Sequence, residues 1–225
     1  MIKAVLFDLD GTLLDRDTAL RLFIEDQYER YANKLTLVSK SSYVSRFIVL
    51  DQRGYVWKDK VYQQLLEEFN LDTLYWGDML EDYMMNFPKF ARAFPNTVEI
   101  LQWLKENQIK IGMITNGFTR FQTSNLESLK IADYFDEILI SEQEGVRKPE
   151  KEIFNRALER LGVKAYEALF VGDHPIYDVQ ASIDAGMKGI WKKADAYEQQ
   201  EVTADAVIDN LNQLQKIIEK GAVQD

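Results

Sequence analysis

The sequence predicts an α/β fold in which a parallel-sheet core is interrupted, after its first strand, by an all-helical insertion. Residues 4–7 form a short apolar run that ends in two aspartates. Such a run without alternating polar positions indicates a strand buried on both faces. Residues 18–87 show helical periodicity and no strand signal. From residue 94 onward, apolar strands alternate with amphipathic helices, which is typical of a parallel sheet with right-handed crossovers.

Composition narrows the possible functions. The chain has 225 residues, enough for one large domain or a core with a smaller insertion. It carries 27 Lys and Arg against 37 Asp and Glu, and the resulting net charge of −10 argues against nucleic-acid polymers as partners. Cysteine is absent, which excludes disulfides, thiolate metal sites and cysteine nucleophiles. No apolar run approaches the roughly 20 residues of a membrane span, so we expect a cytoplasmic protein. We also expect a monomer or a homodimer.

The first strand leads directly into polar residues. Asp8 and Asp10 lie one residue apart, and Gly11 and Thr12 follow them. In open α/β sheets, ligands bind at the carboxyl ends of the strands, so this stretch is a candidate binding edge. Asp and Gly are also ordinary turn formers, and the stretch taken alone is equally compatible with a simple polar turn.

The insertion is predicted at residues 17–89, which assigns residues 1–16 and 90–225 to the core domain. Its apolar residues recur at helical three- and four-residue spacing, as at Leu20, Phe23 and Ile24. Burial tendencies favour its aromatic residues and methionines as the hydrophobic core of the insertion rather than as a cofactor site. These residues include Tyr28, Tyr31, Phe47, Tyr55, Trp57, Tyr62, Phe69, Trp76, Met79, Tyr83, Met84 and Met85.

The second half of the core continues the alternation. Strands are predicted at residues 109–115, 137–141, 168–172, 189–191 and 206–208. Helices are predicted after residue 96 and at residues 121–129, about 150–161, 173–186 and 211–218. Asn96 is a candidate N-cap, Pro149 suits the first position of its helix, and Gly186 suits a helix end.

Polar residues recur where the predicted strands end. Thr115 and Asn116 follow one strand, Lys148 lies in a post-strand loop, and Asp173 and Asp178 follow another strand. Each has a separate explanation as a turn or helix start. Because the carboxyl ends of parallel strands meet at one edge, their recurrence in order predicts a single site rather than unrelated turns.

These motifs together resemble those of the haloacid dehalogenase superfamily of hydrolases. The resemblance rests on Asp-Leu-Asp-Gly-Thr at residues 8–12, Ile-Thr-Asn-Gly at 114–117, Arg-Lys-Pro at 147–149 and Gly-Asp-His-Pro-Ile-Tyr-Asp at 172–178. It covers nearly the whole chain. The resemblance implies a Rossmann-like core whose first strand lies between the second and the fourth, and it implies that the insertion is a mobile cap.

The resemblance also implies roles in a magnesium-dependent phosphatase acting on a small-molecule phosphate monoester. Asp8 is the nucleophile that forms an aspartyl-phosphate, and Asp10 is the general acid and base. Mg²⁺ binds carboxylates of Asp8 and Asp173 and the backbone carbonyl of Asp10, and Asp178 orients or joins this set. The phosphate-binding groups are Thr115, Asn116 and Lys148.

Other activities of the superfamily remain open to different degrees. Its dehalogenases lack an aspartate at the position of Asp10, because a halide leaving group needs no acid. A phosphonatase would carry a Schiff-base lysine in the cap, and no local pattern singles out Lys34, Lys40, Lys58 or Lys60. A phosphomutase uses the same four motifs. A sugar or glycolate phosphatase also fits, whereas a non-enzymatic binding protein would be expected to have lost catalytic residues that this chain retains.

The sequence says less about the substrate. Residues 114–122 and 134–146 resemble the branch that holds pyrimidine 5′-nucleotidases and N-acylneuraminate phosphatases, which suggests a nucleoside 5′-monophosphate. Arg21, Arg46 and Arg53 of the insertion are candidate substrate contacts, although each also suits a solvated helix face. His174, the one histidine of the chain, has no assigned role.

Overall fold

The computed structural model describes residues 1–194, 197 and 202–222 and divides the chain into two compact units. One unit, the core domain, comprises residues 1–15 and 93–225, and the other, the helical unit, comprises Arg16–Arg92. The sequence predicted the insertion at residues 17–89. Residues 195–196, 198–201 and 223–225 of the predicted core domain lie outside the described residues.

Each unit has a simple secondary-structure composition among the described residues. The strands are β1 (Ala4–Phe7), β2 (Lys110–Thr115), β3 (Glu137–Ile140), β4 (Ala168–Gly172), β5 (Lys188–Lys192) and β6 (Ala206–Ile208). The α-helices of the helical unit are α1 (Arg16–Arg30), α2 (Lys40–Asp51), α3 (Lys58–Glu68) and α4 (Trp76–Asn86). Those of the core domain are α5 (Thr97–Glu106), α6 (Thr119–Leu129), α7 (Ser141–Glu144), α8 (Lys151–Leu161), α9 (Ala181–Asp184) and α10 (Gln213–Ala222).

The six strands form one parallel sheet in the order β3-β2-β1-β4-β5-β6. Phe7, the last residue of β1, pairs with Met113 of β2 and Val171 of β4. The central position of β1, which the resemblance implied, is confirmed. The register brings the residues that follow β1, β2 and β4 to one edge of the sheet, where ligands bind in such folds.

The sheet is buried because helices cover it. All four residues of β1 and all five of β4 are buried, as expected for continuous apolar strands in a parallel sheet. On one side, α8 packs its apolar face on the sheet, and Phe154 meets Phe170 edge to face at 5.2 Å. Burying a side chain of this size stabilises the fold by about 1.5–3 kcal/mol.

Three local predictions need correction. Pro149 does not begin α8, which starts at Lys151 with Glu150 in the N-cap position. Asn96 occupies the N-cap position of α5 but makes no side-chain cap, because its left-handed backbone lets its amide donate to Asn210 Oδ1 at 2.8 Å. The predicted helix at residues 173–186 is a π-helical segment, Pro175–Gln180, followed directly by α9.

The helical unit packs around aromatic residues. Phe23 of α1 lies at its centre and makes edge-to-face contacts with Tyr83, Phe87 and Phe90 at centroid distances of 5.3–6.2 Å. Of the twelve aromatic and methionine side chains named as the predicted core of the insertion, six are half-buried and four are buried, namely Phe47, Tyr62, Met79 and Tyr83. The prediction is wrong for Tyr55 and Met85, whose side chains are 51% and 59% exposed. Tyr55 lies in a turn, and Met85 lies on a face of α4 that meets solvent.

The helical unit also buries a charged triad. The Asp51 carboxylate accepts hydrogen bonds from Arg16 at 2.8 and 3.1 Å and forms an ion pair with Lys58, and all three residues are buried. Burial alone would raise the pKa of Asp51, but Arg16 and Lys58 outweigh it and lower that pKa. No helix in the part of the chain that the structure describes is long and apolar enough to cross a membrane.

Candidate active site

A buried lysine bridges two aspartates at the carboxyl edge of the sheet. Lys148 Nζ lies 2.7 Å from Asp8 Oδ1 and 2.6 Å from Asp178 Oδ1. Asp8 follows β1, and Asp178 comes from the π-helical segment after β4. Thr12 donates to the other oxygen of Asp8 at 3.2 Å, so both carboxylate oxygens of Asp8 are held in place. The fold thus fixes the orientation of Asp8 from two directions.

Asp173 completes an acidic cluster with these residues. Carboxylate oxygens of Asp8, Asp173 and Asp178 lie within 4.8 Å of one another, and all three residues are buried. Gly11 permits this approach, because its φ is +87° and a Cβ there would lie 2.4 Å from Asp173 Oδ2. Trp191 Nε1 donates to the Asp173 carbonyl at 2.8 Å and anchors its backbone.

The electrostatics of this cluster suit a divalent cation. Burial raises the pKa of Asp8 well above its usual range, and the neighbouring Asp178, Asp173 and Asp10 add to this effect against the opposing charge of Lys148. Burial would lower the pKa of Lys148, but Asp178 and Asp8 outweigh it and raise that pKa, so the ammonium stays charged. Three buried carboxyl groups therefore share one ammonium, and hard divalent cations prefer such oxygen ligands.

Asn116 holds the segment that carries Lys148. Its Nδ2 donates to the Lys148 carbonyl, and its Oδ1 accepts from the Lys148 N–H, both at 3.0 Å. Both ends of the Asn116 side chain are therefore engaged with backbone. This geometry gives the side chain a positioning role, whereas the sequence predicted it as a phosphate-binding group.

Gln122 of α6 connects Asp10 with Thr115. Its Nε2 lies 2.6 Å from Asp10 Oδ2 and 2.7 Å from Thr115 Oγ1, and its Oε1 accepts from Asn125 at 3.1 Å. Gln122, Asn125 and Thr115 are buried. The two predicted groups from β1 and β2 are thereby joined through a residue that neither motif contains.

His174 has a local structural explanation. Its Nδ1 accepts from the N–H groups of Ile176 and Tyr177 at 3.1 and 3.0 Å and so caps the π-helical segment. The ring stacks on the Tyr177 ring at a centroid distance of 4.3 Å. The backbone N–H of His174 donates to Asp178 Oδ2 at 3.0 Å. His174 thus helps to orient the loop that carries Asp178.

Lys192, at the end of β5, supports the loop that contains the two N-terminal aspartates. Its Nζ donates to the Gly11 carbonyl at 3.0 Å and lies over the ring of Phe94 at 3.4 Å from the centroid. The side chain is buried. A cation in this place adds positive charge near the acidic edge of the sheet and fixes the backbone between Asp10 and Thr12.

The structure brings the predicted strand-end residues together at one edge of the sheet. These are Asp8, Asp10, Thr115, Asn116, Lys148, Asp173 and Asp178. No role was predicted from the sequence for Thr12, Gln122 or Lys192. A signal for Gln122 exists, since it and Asn125 lie on the buried face of α6 beside Phe121 and Leu126, where polar residues are unusual.

Comparisons with known sequences point to one family. A family model described as haloacid dehalogenase-like hydrolase matches residues 5–192. A glyceraldehyde 3-phosphate phosphatase from Pyrococcus furiosus is 30% identical in an alignment that covers 97% of this chain and 94% of the relative. The pyrimidine 5′-nucleotidase YjjG from Escherichia coli is 33% identical over 70% of this chain and 69% of its own length.

Solved structures agree with this similarity. A HAD phosphatase from Thermococcus onnurineus is 32% identical, with a TM-score of 0.70 over 96% of this chain and 98% of that one. A 2-haloacid dehalogenase from Pseudomonas syringae is 30% identical, with a TM-score of 0.64 over 98% and 99%. The HAD-hydrolase YfnB from Bacillus subtilis, crystallised with magnesium, shares the fold at a TM-score of 0.77 and 21% identity over 97% and 99%.

Proposed function

Since the chain belongs to the haloacid dehalogenase-like hydrolase family, we propose that it is a magnesium-dependent phosphatase that hydrolyses a small-molecule phosphate monoester through an aspartyl-phosphate on Asp8. One observation carries the proposal. Lys148 Nζ donates a hydrogen bond of 2.7 Å to Asp8 inside a buried cluster of carboxyl groups. Asp10, two residues farther on, accepts a hydrogen bond from a different side chain, that of Gln122. The two aspartates of one loop therefore have different surroundings, which suits Asp8 as the nucleophile and Asp10 as the general acid.

Asp8 attacks phosphorus with a carboxylate oxygen. A phosphate monoester is a dianion and repels a carboxylate, so the reaction needs positive charge at the point of contact. Lys148 supplies one such charge from a buried position, where charge–charge interactions are stronger than in water. The covalent intermediate divides one difficult displacement into two easier ones.

The residues present fit a divalent cation. Asp8, Asp173 and Asp178 offer buried oxygen ligands within 4.8 Å of one another, and Lys148 is paired with two of them. We assign Mg²⁺ to Asp8, Asp173 and the backbone carbonyl of Asp10, with Asp178 joining or orienting this set. When bound, the cation supplies Lewis-acid stabilisation of the phosphoryl oxygens.

Asp10 serves as the general acid and then as the general base. It gives its proton to the departing alcohol as the bond between phosphorus and that oxygen breaks. The resulting carboxylate then removes a proton from the water that cleaves the aspartyl-phosphate. The same residue separates this proposal from dehalogenation, because a departing halide needs no proton.

The phosphoryl group is held by Thr115 and Lys148, together with the backbone of Asn116. The Thr115 hydroxyl accepts from Gln122 at 2.7 Å, which leaves its hydrogen available for a phosphoryl oxygen. In phosphoryl transfer, positioning and electrostatics supply most of the catalysis. We therefore expect these residues to affect every substrate alike.

We propose that the helical unit is a cap that selects the leaving group. All the catalytic residues assigned above belong to the core domain, and none belongs to the helical unit. The glyceraldehyde 3-phosphate phosphatase aligns with 97% of this chain, whereas the nucleotidase aligns with 70%. This difference favours a small phosphorylated sugar or aldehyde as substrate, with a nucleoside 5′-monophosphate as the second candidate.

The test is hydrolysis by the purified protein. With Mg²⁺ present, we expect release of p-nitrophenol from p-nitrophenyl phosphate, loss of that activity on adding EDTA, and its return on adding excess Mg²⁺. A panel of D-glyceraldehyde 3-phosphate, pyrimidine 5′-monophosphates, sugar phosphates and phosphoglycolate would then rank the substrates. No hydrolysis of any phosphate ester would refute the proposal, and conversion of a sugar phosphate to its isomer without phosphate release would identify a phosphomutase.

A further inference from the structure

Gln122 occupies a junction between two residues of the proposed mechanism, Asp10 and Thr115. Its amide nitrogen contacts Asp10 Oδ2 at 2.6 Å, Thr115 Oγ1 at 2.7 Å and the Asn116 carbonyl at 3.3 Å. The side chain is 1% exposed. A buried neutral amide therefore lies between the predicted general acid and the predicted phosphate-binding hydroxyl.

The orientation of this amide follows from its partners. A carboxyl oxygen that carries no proton and a backbone carbonyl only accept hydrogen bonds, so the NH₂ end must face Asp10 Oδ2 and the Asn116 carbonyl. The other end is fixed by Asn125, whose Nδ2 donates to Gln122 Oε1 at 3.1 Å. Rotating either amide by half a turn would place like ends of two dipoles together.

Gly117 leaves room for this arrangement. A Cβ on Gly117 would lie 3.0 Å from Gln122 Cγ and 3.3 Å from its Cδ and Nε2. The backbone after β2 therefore runs close against the Gln122 side chain. Packing on one side and Asn125 on the other restrict Gln122 to the position from which it contacts Asp10.

We propose that Gln122 is a positioning residue that directs two hydrogens in the active site. By donating to Asp10 Oδ2, it leaves Oδ1 as the oxygen that carries the proton for the leaving group. By donating to Thr115 Oγ1, it turns the hydroxyl hydrogen toward the phosphoryl group. This inference rests on the proposed phosphatase function.

The consequence depends on the leaving group. As the bond between phosphorus and the leaving oxygen breaks, its electron pair stays on that oxygen, and the proton on Asp10 Oδ1 moves to it. A phenolate with strongly electron-withdrawing substituents departs without this proton, whereas a poor leaving group needs it. Loss of Gln122 should therefore slow the hydrolysis of esters with poor leaving groups more than that of esters with good ones.

The experiment compares the wild type with Gln122→Met, which preserves the length of the side chain and removes both donors. The measurement is kcat/KM on a series of substituted phenyl phosphates. We expect a loss of about 10- to 100-fold for the poorest leaving group and of less than about threefold for the best, within the range of general acid catalysis. Thr123→Ala, at the exposed neighbouring position on α6, is the matched control and should leave the whole series unchanged.

A double-mutant cycle shows whether Gln122 acts through Asp10. In an Asp10→Asn background, Gln122→Met should not steepen the dependence on the leaving group any further. Gln122→Leu, which also removes the amide donors, repeats the test if the methionine variant does not fold. Equal losses across the series, or additive losses in the cycle, would overturn the inference. A wild type that hydrolyses no phosphate ester at all, phenyl phosphates included, would instead refute the phosphatase proposal itself.

Discussion

Asn116 and Lys148 are joined by two hydrogen bonds of 3.0 Å, one in each direction, between the Asn116 side chain and the Lys148 backbone. The two residues are 32 positions apart in the chain and belong to different loops of the core domain. The loop after β2 thus fixes the loop that carries the buried lysine. The position of the Lys148 ammonium against Asp8 depends on this contact.

The first prediction tests this dependence. Asn116→Ala should lower kcat by up to about 100-fold, because a small misplacement of a catalytic group is costly. The loss should be similar for all substrates, since the proposed role of Lys148 is to contact the phosphoryl group that they share. Asn155→Ala, at an exposed position on α8, is the control. A loss confined to one substrate would show instead that Asn116 reads the leaving group.

The second prediction concerns Asp8. Asp8→Asn should abolish turnover, because an amide is not a competent nucleophile. Residual activity above about 1% of the wild-type rate, a barrier increase of under about 3 kcal/mol, would exclude nucleophilic catalysis by Asp8. Because burial and neighbouring carboxylates raise the pKa of Asp8, a neutral side chain at this position should not lower the free energy of unfolding. The Tm of the metal-free variant should therefore not fall below that of the metal-free wild type.

Much of the fold could be predicted because its signals are local. Apolar runs such as residues 4–7 and 168–172 identify buried strands, and the helical spacing of residues in the insertion is visible without knowing any contact. The order of the strands came from the family resemblance rather than from periodicity. Tyr55 and Met85 were predicted as core residues and are exposed, because composition does not show which face of a helix or turn meets solvent.

The candidate site was predictable where its residues follow strands. Thr115 and Lys148 lie in post-strand segments, and the parallel sheet collects such segments at one edge. Gln122 was missed because a glutamine in an amphipathic helix usually faces solvent, and only the tertiary structure shows its amide against Asp10. The role of Asn116 differs for the same reason, since its partner is the backbone of a residue distant in sequence.

The third prediction concerns the acid stability of the helical unit. The folded-state pKa of Asp51 lies below its ordinary value of 3.8, because Arg16 and Lys58 outweigh the effect of burial. The stabilisation from this carboxylate is therefore fully present above about pH 4 and is lost as the pH falls through the lower folded-state pKa. Asp51→Asn should flatten this acid dependence and destabilise the unit at neutral pH by about 3–5 kcal/mol, because two buried cations then face a neutral amide.

Hydrogen exchange at the amides of α2 and α3, measured as a function of pH, checks this prediction. Arg46→Met is the control, because its partner Glu68 lies on the surface. The Arg46 guanidinium lowers the pKa of Glu68 to about 2, but solvent and salt screen this pair. The control should leave exchange near the wild-type level at physiological salt. Equal effects of the two substitutions would contradict a special role for the buried triad.

The candidate substrate-contacting arginines of the helical unit have different surroundings. Arg46 is paired with Glu68 at 2.5 and 2.6 Å, and Arg53 donates to Asp17 at 2.8 Å. Arg21 lines an open concavity of about 550 Å³ together with Glu25, Ser39, Lys40, Ser41, Val44 and Ser45. A guanidinium beside hydroxyl groups is suited to polar or anionic ligands. We therefore select Arg21 among the three as the residue that most affects substrate choice.

The fourth prediction is that Arg21→Ala changes the ranking of substrates more than it changes the hydrolysis of p-nitrophenyl phosphate. The small aryl ester offers little for a cap to recognise, whereas a sugar phosphate or nucleotide presents hydroxyl and anionic groups. Lys148→Ala should lower kcat/KM for every ester, because the proposed role of Lys148 is to contact the phosphoryl group that all esters share. Arg46→Ala serves as the surface control. The assignment of selectivity to Arg21 is wrong if Arg21→Ala lowers kcat/KM equally for all substrates. It is also wrong if Arg46→Ala changes the ranking of the substrates and Arg21→Ala does not.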